Sequence, residues 1–523
     1  MKAWAHGGTI AFDSGVVVTY GHLGNKSLVR SICNLKPHFV IKRKRRVEEL
    51  KPRKSSFAGY VKTMAALLIQ AWRFRCLLPV LFWSLTLNGQ LSAPLHMGFA
   101  EVDVTPKEPI FMAGYAARRK PSEGVDTRLM AQAMAFRSGI RTFVMVSLDN
   151  CEVSRAFMRP VLKGIHERLG LETGSVMVVS SHTHSGPILA DTLDVMAIMP
   201  EKDQAVVKKY SLELQSKLIQ VVSEACADLQ PARLEKGIGT AHFAINRRVY
   251  RSDGVQFGEN PEGPRDWEVR VLRISDLEGH LRAIAFGYAC HGTSISANGF
   301  YQISGEYMAY AREHIRSVYP QAIPIYLTGM GADQNPSPRG DIMEAKRHGL
   351  ELAGAVVGVL QRPMQPVEGS MRWAYTEATL PLHKAPNRSQ LEGDLQDANV
   401  YVQRRAATFL KMLDRGETLP EAVVLPMSVM RIGESLSFLN MAGEVVVDYS
   451  LLFKRLYKQS GPWCVGYAYE VPCYIPNIRI LKEGGYEADS SLIYYGIYGP
   501  FQWSIQKTIV SEMAGLMERT QAP

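Results

Sequence analysis

From residue 96 onward the chain alternates short apolar runs with longer stretches of helical spacing. Residues 98–106 alternate in strand fashion and stop at Pro106, and residues 112–115 make a glycine-containing turn. Residues 126–136 lead to a second strand. Residues 142–149 form a near-continuous apolar run closing on Asp149, the pattern of a strand covered on both faces. Residues 155–169 have helical spacing, and the apolar run 176–179 then enters Ser180-Ser181-His182-Thr183-His184-Ser185-Gly186-Pro187. Strand, helix, strand in this order predicts an α/β sheet whose loops carry a site.

Further along, residues 204–229 predict a long amphipathic helix, 267–274 and 281–290 a strand pair, 304–318 a helix, 323–327 a short strand and 341–360 another helix. Residues 371–382 and 436–441 read as strands, and 389–415 as a polar helical stretch suited to covering a site. A tyrosine- and glycine-rich end follows over residues 471–500. With no internal repeat or low-complexity linker in view, residues 94–523 are expected to form a single large α/β domain with a mixed-sheet core, covering helices and long active-site loops.

The chemistry sits where strands end. In an extended chain His182 and His184 point the same way and can converge on one ion or one polar group, whereas the plainer reading is two polar loop residues. His291 repeats the arrangement, an imidazole at the end of an apolar strand before a turn, which favours a shared metal. The glycine-rich loop 328–336 lacks the lysine and spacing of a phosphate-binding loop.

Charge changes the picture only at the N-terminus. The formal net charge is +10, but residues 1–60 hold twelve Lys/Arg against three Asp/Glu, and the chain from residue 91 has 45 basic and 47 acidic residues, a net of −2. Binding of nucleic acid by the main domain is therefore not expected. Residues 1–63, with the run Lys42-Arg43-Lys44-Arg45-Arg46, read as a basic extension, consistent with a start of translation near Met64. Residues 64–93 follow the order of a secretory signal: Arg73 and Arg75, an apolar core at 76–87, then small residues. Export to the periplasm or medium is the expectation, with an uncleaved anchor through 76–87 as the alternative. The seven cysteines make no Cys-x-x-Cys knuckle; Cys464 and Cys473 are read as buried thiols rather than a disulfide.

Taken together, the motifs resemble the catalytic domain of the neutral/alkaline non-lysosomal ceramidase family. The likeness rests on residues 98–106 and 112–115, Ser181-His182-Thr183-His184-Ser185-Gly186-Pro187, Asn246-Arg247-Arg248, His291-Gly292-Thr293-Ser294, Gly331-Ala332-Asp333-Gln334-Asn335-Pro336, Met441-Ala442-Gly443-Glu444, and Tyr474 with Gly485-Tyr486-Glu487. The resemblance implies hydrolysis of an N-acyl amide bond, as in sphingolipid breakdown, by metal-activated water and carbonyl polarisation. It implies one zinc ion per chain held by His182, His291, Glu444 and Tyr474, with His184 and Arg247 lining the pocket; His184, beside the metal but not on it, is the candidate general acid/base because an imidazole titrates near working pH. The expected partner is a small-molecule or lipid N-acyl substrate, with transient contact at a membrane surface.

One position departs from the family. Where the ceramidases carry a serine thought to take part in cleavage, this chain has Asn335, which can orient a carbonyl or a water but cannot act as a nucleophile. Ser337 lies two residues on, between Pro336 and Pro338. The alternative function is a non-catalytic or altered-substrate relative that keeps fold and metal as a binding module.

Overall fold

The computed structural model describes residues 9–11, 17–19 and 94–521. Thr9–Ala11 and Val17–Thr19 pair as short antiparallel strands. The basic run at 42–46 and the signal-like segment 64–93 lie outside the described residues. Residues 94–521 form a compact unit of their own.

That unit is built from three successive copies of one arrangement, strand-strand-strand-helix-strand-helix. The first copy runs Leu95–Asp103, Met130–Ser138, Arg141–Leu148, helix Arg155–Leu169, Val176–Ser180, helix Glu201–Ala227. The second runs Arg233–Thr240, Glu268–Ser275, Leu281–Tyr288, helix Glu306–Val318, Ile323–Thr328, helix Ile342–Leu360. The third runs Met371–Pro381, Ala422–Ile432, Leu436–Met441, helix Val447–Leu456, Pro462–Val465, helix Ile505–Arg519. In every copy the first three strands pair antiparallel, the fourth pairs parallel to the third through the crossover helix, and the last helix packs on the first two strands. This corrects the expectation of no internal repeat, because the recurrence is one of topology and apolar pattern, not of residues.

The mixed α/β architecture agrees with the sequence pattern. The helix Arg155–Leu169 starts on Ser154, whose side chain accepts from Phe157 N, and stops at Gly170 in the left-handed region (φ 67°). Alternate residues of Arg141–Leu148 enter two cores: Val144, Val146 and Leu148 face the helices, while Phe143 and Met145 face inward. The inward faces of all three sheets meet in one core that includes Met145, Leu272, Ile325, Met430, Phe438 and Trp463. Each such side chain contributes about 1.5–3 kcal/mol by leaving water. This shared core fixes the three sheets against each other, so the C-terminal ends of their parallel strand pairs converge.

Long excursions interrupt each copy between its first and second strands, over residues 104–129, 241–267 and 382–421. The third contains the helices Arg388–Asp394 and Val400–Asp414 where a covering helical stretch is expected. The second contains the hairpin Ala244–Arg251 and Gly254–Asn260.

Candidate metal centre

The repeat explains where the site residues come from. Cys151, His291 and Glu444 are each the third residue beyond the third strand of their copy, and His182 and Tyr467 each the second beyond the fourth. His182 and Tyr467 also share a left-handed backbone, φ 58° and 52°. Their rings stack at 4.3 Å. The two histidines of the His-x-His motif do converge, with Nε2 atoms 3.1 Å apart. They do so for a different reason from the one expected: His182 is not extended, and its left-handed turn swings it towards His184.

His182 Nδ1 lies 2.8 Å from the carbonyl oxygen of Cys151, so it carries the proton and Nε2 is left with a lone pair. His291 Nδ1 is 3.3 Å from the Gly331 carbonyl, with the same consequence. Both Nε2 atoms face one carboxylate oxygen, Glu444 Oε2, at 3.1 and 3.2 Å. Three acceptors aimed at one point repel each other in a buried site unless a cation stands between them. Zinc–ligand bonds of about 2.0–2.1 Å correspond to a tetrahedral edge of about 3.3 Å, so the donor spacing suits such an ion. The three donor atoms all lie within 4.8 Å of one another. The Tyr474 hydroxyl, 3.2 Å from His291 Nε2, completes a four-residue set. Tyr474 arrives there because its backbone pairs in register with Glu444.

The remaining predicted residues also gather here. Arg247 is buried; its Nε donates to Glu487 at 2.7 Å, one terminal nitrogen to Tyr474 at 3.0 Å, and the other to Asn335 Oδ1 at 3.2 Å while lying 3.1 Å from His291 Nε2. Asn335 is partly exposed beside it. His184 touches the edge of Tyr115 and is cradled by Gly114, where a Cβ would come within 2.5 Å of the imidazole. Ser337 is turned elsewhere and donates to Glu259 at 2.6 Å. Cys464 and Cys473 are buried free thiols.

The electrostatics keep the imidazoles of His291 and His184 neutral. Burial, then the Arg247 charge, pushes His291 down to about 3. Burial, then His182 and His291, lowers His184 well below the ordinary imidazole value. For Glu444 burial acts upward, but its close contacts with His182 and His291 outweigh it and hold the carboxyl well below its usual range. Burial raises the Tyr474 phenol well above 10 against the pull of Arg247.

Some residues at the site carry no sequence signal. Tyr467 reaches Glu444 Oε2 at 3.4 Å, Tyr495 hydrogen-bonds Glu444 Oε1, and Arg118 donates to the His184 carbonyl at 2.6 Å. Asp333 ties the site loops together, accepting from Val447 N at 2.8 Å and Asn246 Nδ2 at 2.9 Å.

The fold is the one seen in solved ceramidase structures. Residues 95–321 match the family model of the neutral/alkaline non-lysosomal ceramidase N-terminal domain. Solved structures agree in fold. The neutral ceramidase from Pseudomonas aeruginosa superposes with a TM-score of 0.63 at 19% identity, over 82% of this chain and 76% of that one. A ceramidase complexed with C2 gives a TM-score of 0.61 at 18% identity, over the same shares. No curated protein matches the chain in sequence.

Proposed function

We propose that this chain hydrolyses the amide bond of a ceramide-type N-acyl lipid, with one zinc ion held by His182, His291, Glu444 and Tyr474. The observation that carries the proposal is the convergence of two imidazole Nε2 atoms on one carboxylate oxygen at 3.1 and 3.2 Å, with the Tyr474 hydroxyl 3.2 Å from His291. A bound zinc supplies Lewis-acid polarisation of the amide carbonyl and lowers the pKa of water to about 7.

The chain's own residues do the rest. His184, held neutral and partly exposed, takes a proton from the attacking water and returns it to the departing amine nitrogen. Water and N-acyl amine thereby give a fatty acid and an amine. Arg247 can only donate, so Asn335 must turn its side-chain oxygen to it and present its NH2 group to the pocket, a donor for the developing oxyanion. The neutral Tyr474 accepts from Arg247 and keeps its own proton for the same oxyanion. Asn335 provides no nucleophile and Ser337 is engaged with Glu259, which favours direct attack by water. An apolar lip beside Arg247, where exposed Phe257 packs on Tyr486 at 4.8 Å, suits a lipid chain drawn from a membrane surface. The signal-like order of 64–93 supports export, which N-terminal sequencing of the secreted product tests.

The deciding experiment is metal analysis of the purified protein, followed by fatty-acid release from a short-chain fluorescent ceramide with and without chelator. About one zinc per chain and chelator-sensitive release are expected. Zinc without release redirects the search to other amides and esters; protein without metal refutes the site.

A further inference from the structure

Glu152 follows Cys151 in the loop after Arg141–Leu148 and is 3% exposed. Its Oε2 lies 3.5 Å from the Tyr495 hydroxyl, and that hydroxyl also hydrogen-bonds Glu444 Oε1. Tyr495 therefore stands between two buried carboxyl groups. A phenol has one proton to donate. Glu444 turns Oε2 to the two histidines, so the oxygen facing Tyr495 is the one not aimed into the cluster. A carboxylate that ligates a metal is ionised, so Tyr495 spends its proton on Glu444. The long second contact is then attractive only if Glu152 is protonated and donates to the phenol oxygen. Burial pushes Glu152 above the usual carboxylate range, in the same direction.

We propose that Glu152 and Tyr495 are positioning residues forming a directed chain, Glu152 carboxylic acid to Tyr495 hydroxyl to Glu444, that restrains Glu444 to binding the metal through Oε2 alone. The proposal rests on reading the cluster as a metal centre. Hydrogen-bond partners of ligating side chains typically change metal affinity 10–100-fold. A carboxamide at 152 still donates to the phenol oxygen, whereas alanine leaves it without a donor.

The test is the zinc dissociation constant of the full chain, measured by competition with a chromophoric chelator, for the wild type, Tyr495→Phe, Glu152→Gln and Glu152→Ala. Tyr495→Phe is expected to weaken zinc about 10–100-fold and Glu152→Ala about 10-fold, while Glu152→Gln stays within about threefold of the wild type. A second readout needs no metal: the infrared difference between wild type and Glu152→Gln at neutral pH should contain the carbonyl stretch of a protonated carboxyl group. If the wild type binds no zinc, the metal-centre reading fails and the positioning role with it. If the wild type binds zinc and Tyr495→Phe binds it equally well, the positioning role alone fails. Absence of the protonated-carboxyl band, or zinc loss in Glu152→Gln as large as in Glu152→Ala, overturns the direction of the chain.

Discussion

Arg247 donates to the phenol oxygen of Tyr474 at 3.0 Å from deep inside the domain. The same guanidinium reaches Glu487 and Asn335, so three side chains are set by one planar fork. A lysine ammonium cannot reproduce that fork. Arg247→Lys should therefore lower kcat/KM about 100-fold while metal content holds, as read by steady-state kinetics beside metal analysis. Full activity in the lysine variant would mean that only the charge matters. Glu487 is expected to show its role in stability, because removing one member of a buried ion pair costs about 3–5 kcal/mol.

The division between ligands and proton carrier makes a sharper pair. His182→Ala and His291→Ala should lose metal and activity together. His184→Ala should keep the metal and lower turnover about 100- to 10,000-fold, the usual contribution of a general acid/base. The geometry makes this pair worth separating: His184 does not cluster with His291 and Glu444, but it forms a second cluster of mutually close donors with Cys151 and His182. Loss of metal from the His184 variant would make it a ligand.

The residues just named were legible in the sequence because each sits where an apolar strand gives way to a loop, and the family motifs mark them. His182 and His184 illustrate the limit. Their convergence is foreseeable, but the left-handed turn at His182 that produces it is not, since β-strand alternation predicts an extended chain there. Tyr467 was out of reach, one of 22 tyrosines, selected only by its fit against His182. Glu152 and Tyr495 matter only because the first and third copies are brought together by the shared core. The strand Ala422–Ile432 carries no expectation because Pro426 lies within it, and proline argues against an inner strand. The helices Val447–Leu456 and Ile505–Arg519 become intelligible once the threefold repeat of the topology is seen.

Asn335→Ser addresses the departure from the family serine. If the donor role of the asparagine NH2 is correct, serine at this position loses the oriented amide donor but brings a hydroxyl that Arg247 can also hold. Ceramide hydrolysis should fall by about 10-fold or less, and Asn335→Ala by about 100- to 1,000-fold, the cost of removing one oxyanion donor. Comparison of kcat among the three forms decides it. A gain in Asn335→Ser would show that a hydroxyl, not water positioned by the asparagine, limits the reaction.

Glu306 supplies a pH prediction away from the metal ligands. It is fully buried, has φ 57°, and accepts from Ser294 N at 3.1 Å and Ile295 N at 2.8 Å, which pins the turn after His291. Burial raises its pKa from 4.5 to about 7 in spite of those hydrogen bonds. A carboxyl with a raised folded-state pKa stabilises the fold fully below its unfolded value, and that contribution is lost as pH rises through the folded one. Stability should thus fall between about pH 4.5 and 7, by at most about 3 kcal/mol from this group. Glu306→Gln removes the proton and one of the two acceptors, so it should be less stable overall yet show a flatter profile across the same interval. Thermal unfolding of both forms from pH 4.5 to 8, at equal metal loading, reads the difference in slope. Parallel profiles would mean that Glu306 does not change its protonation on unfolding.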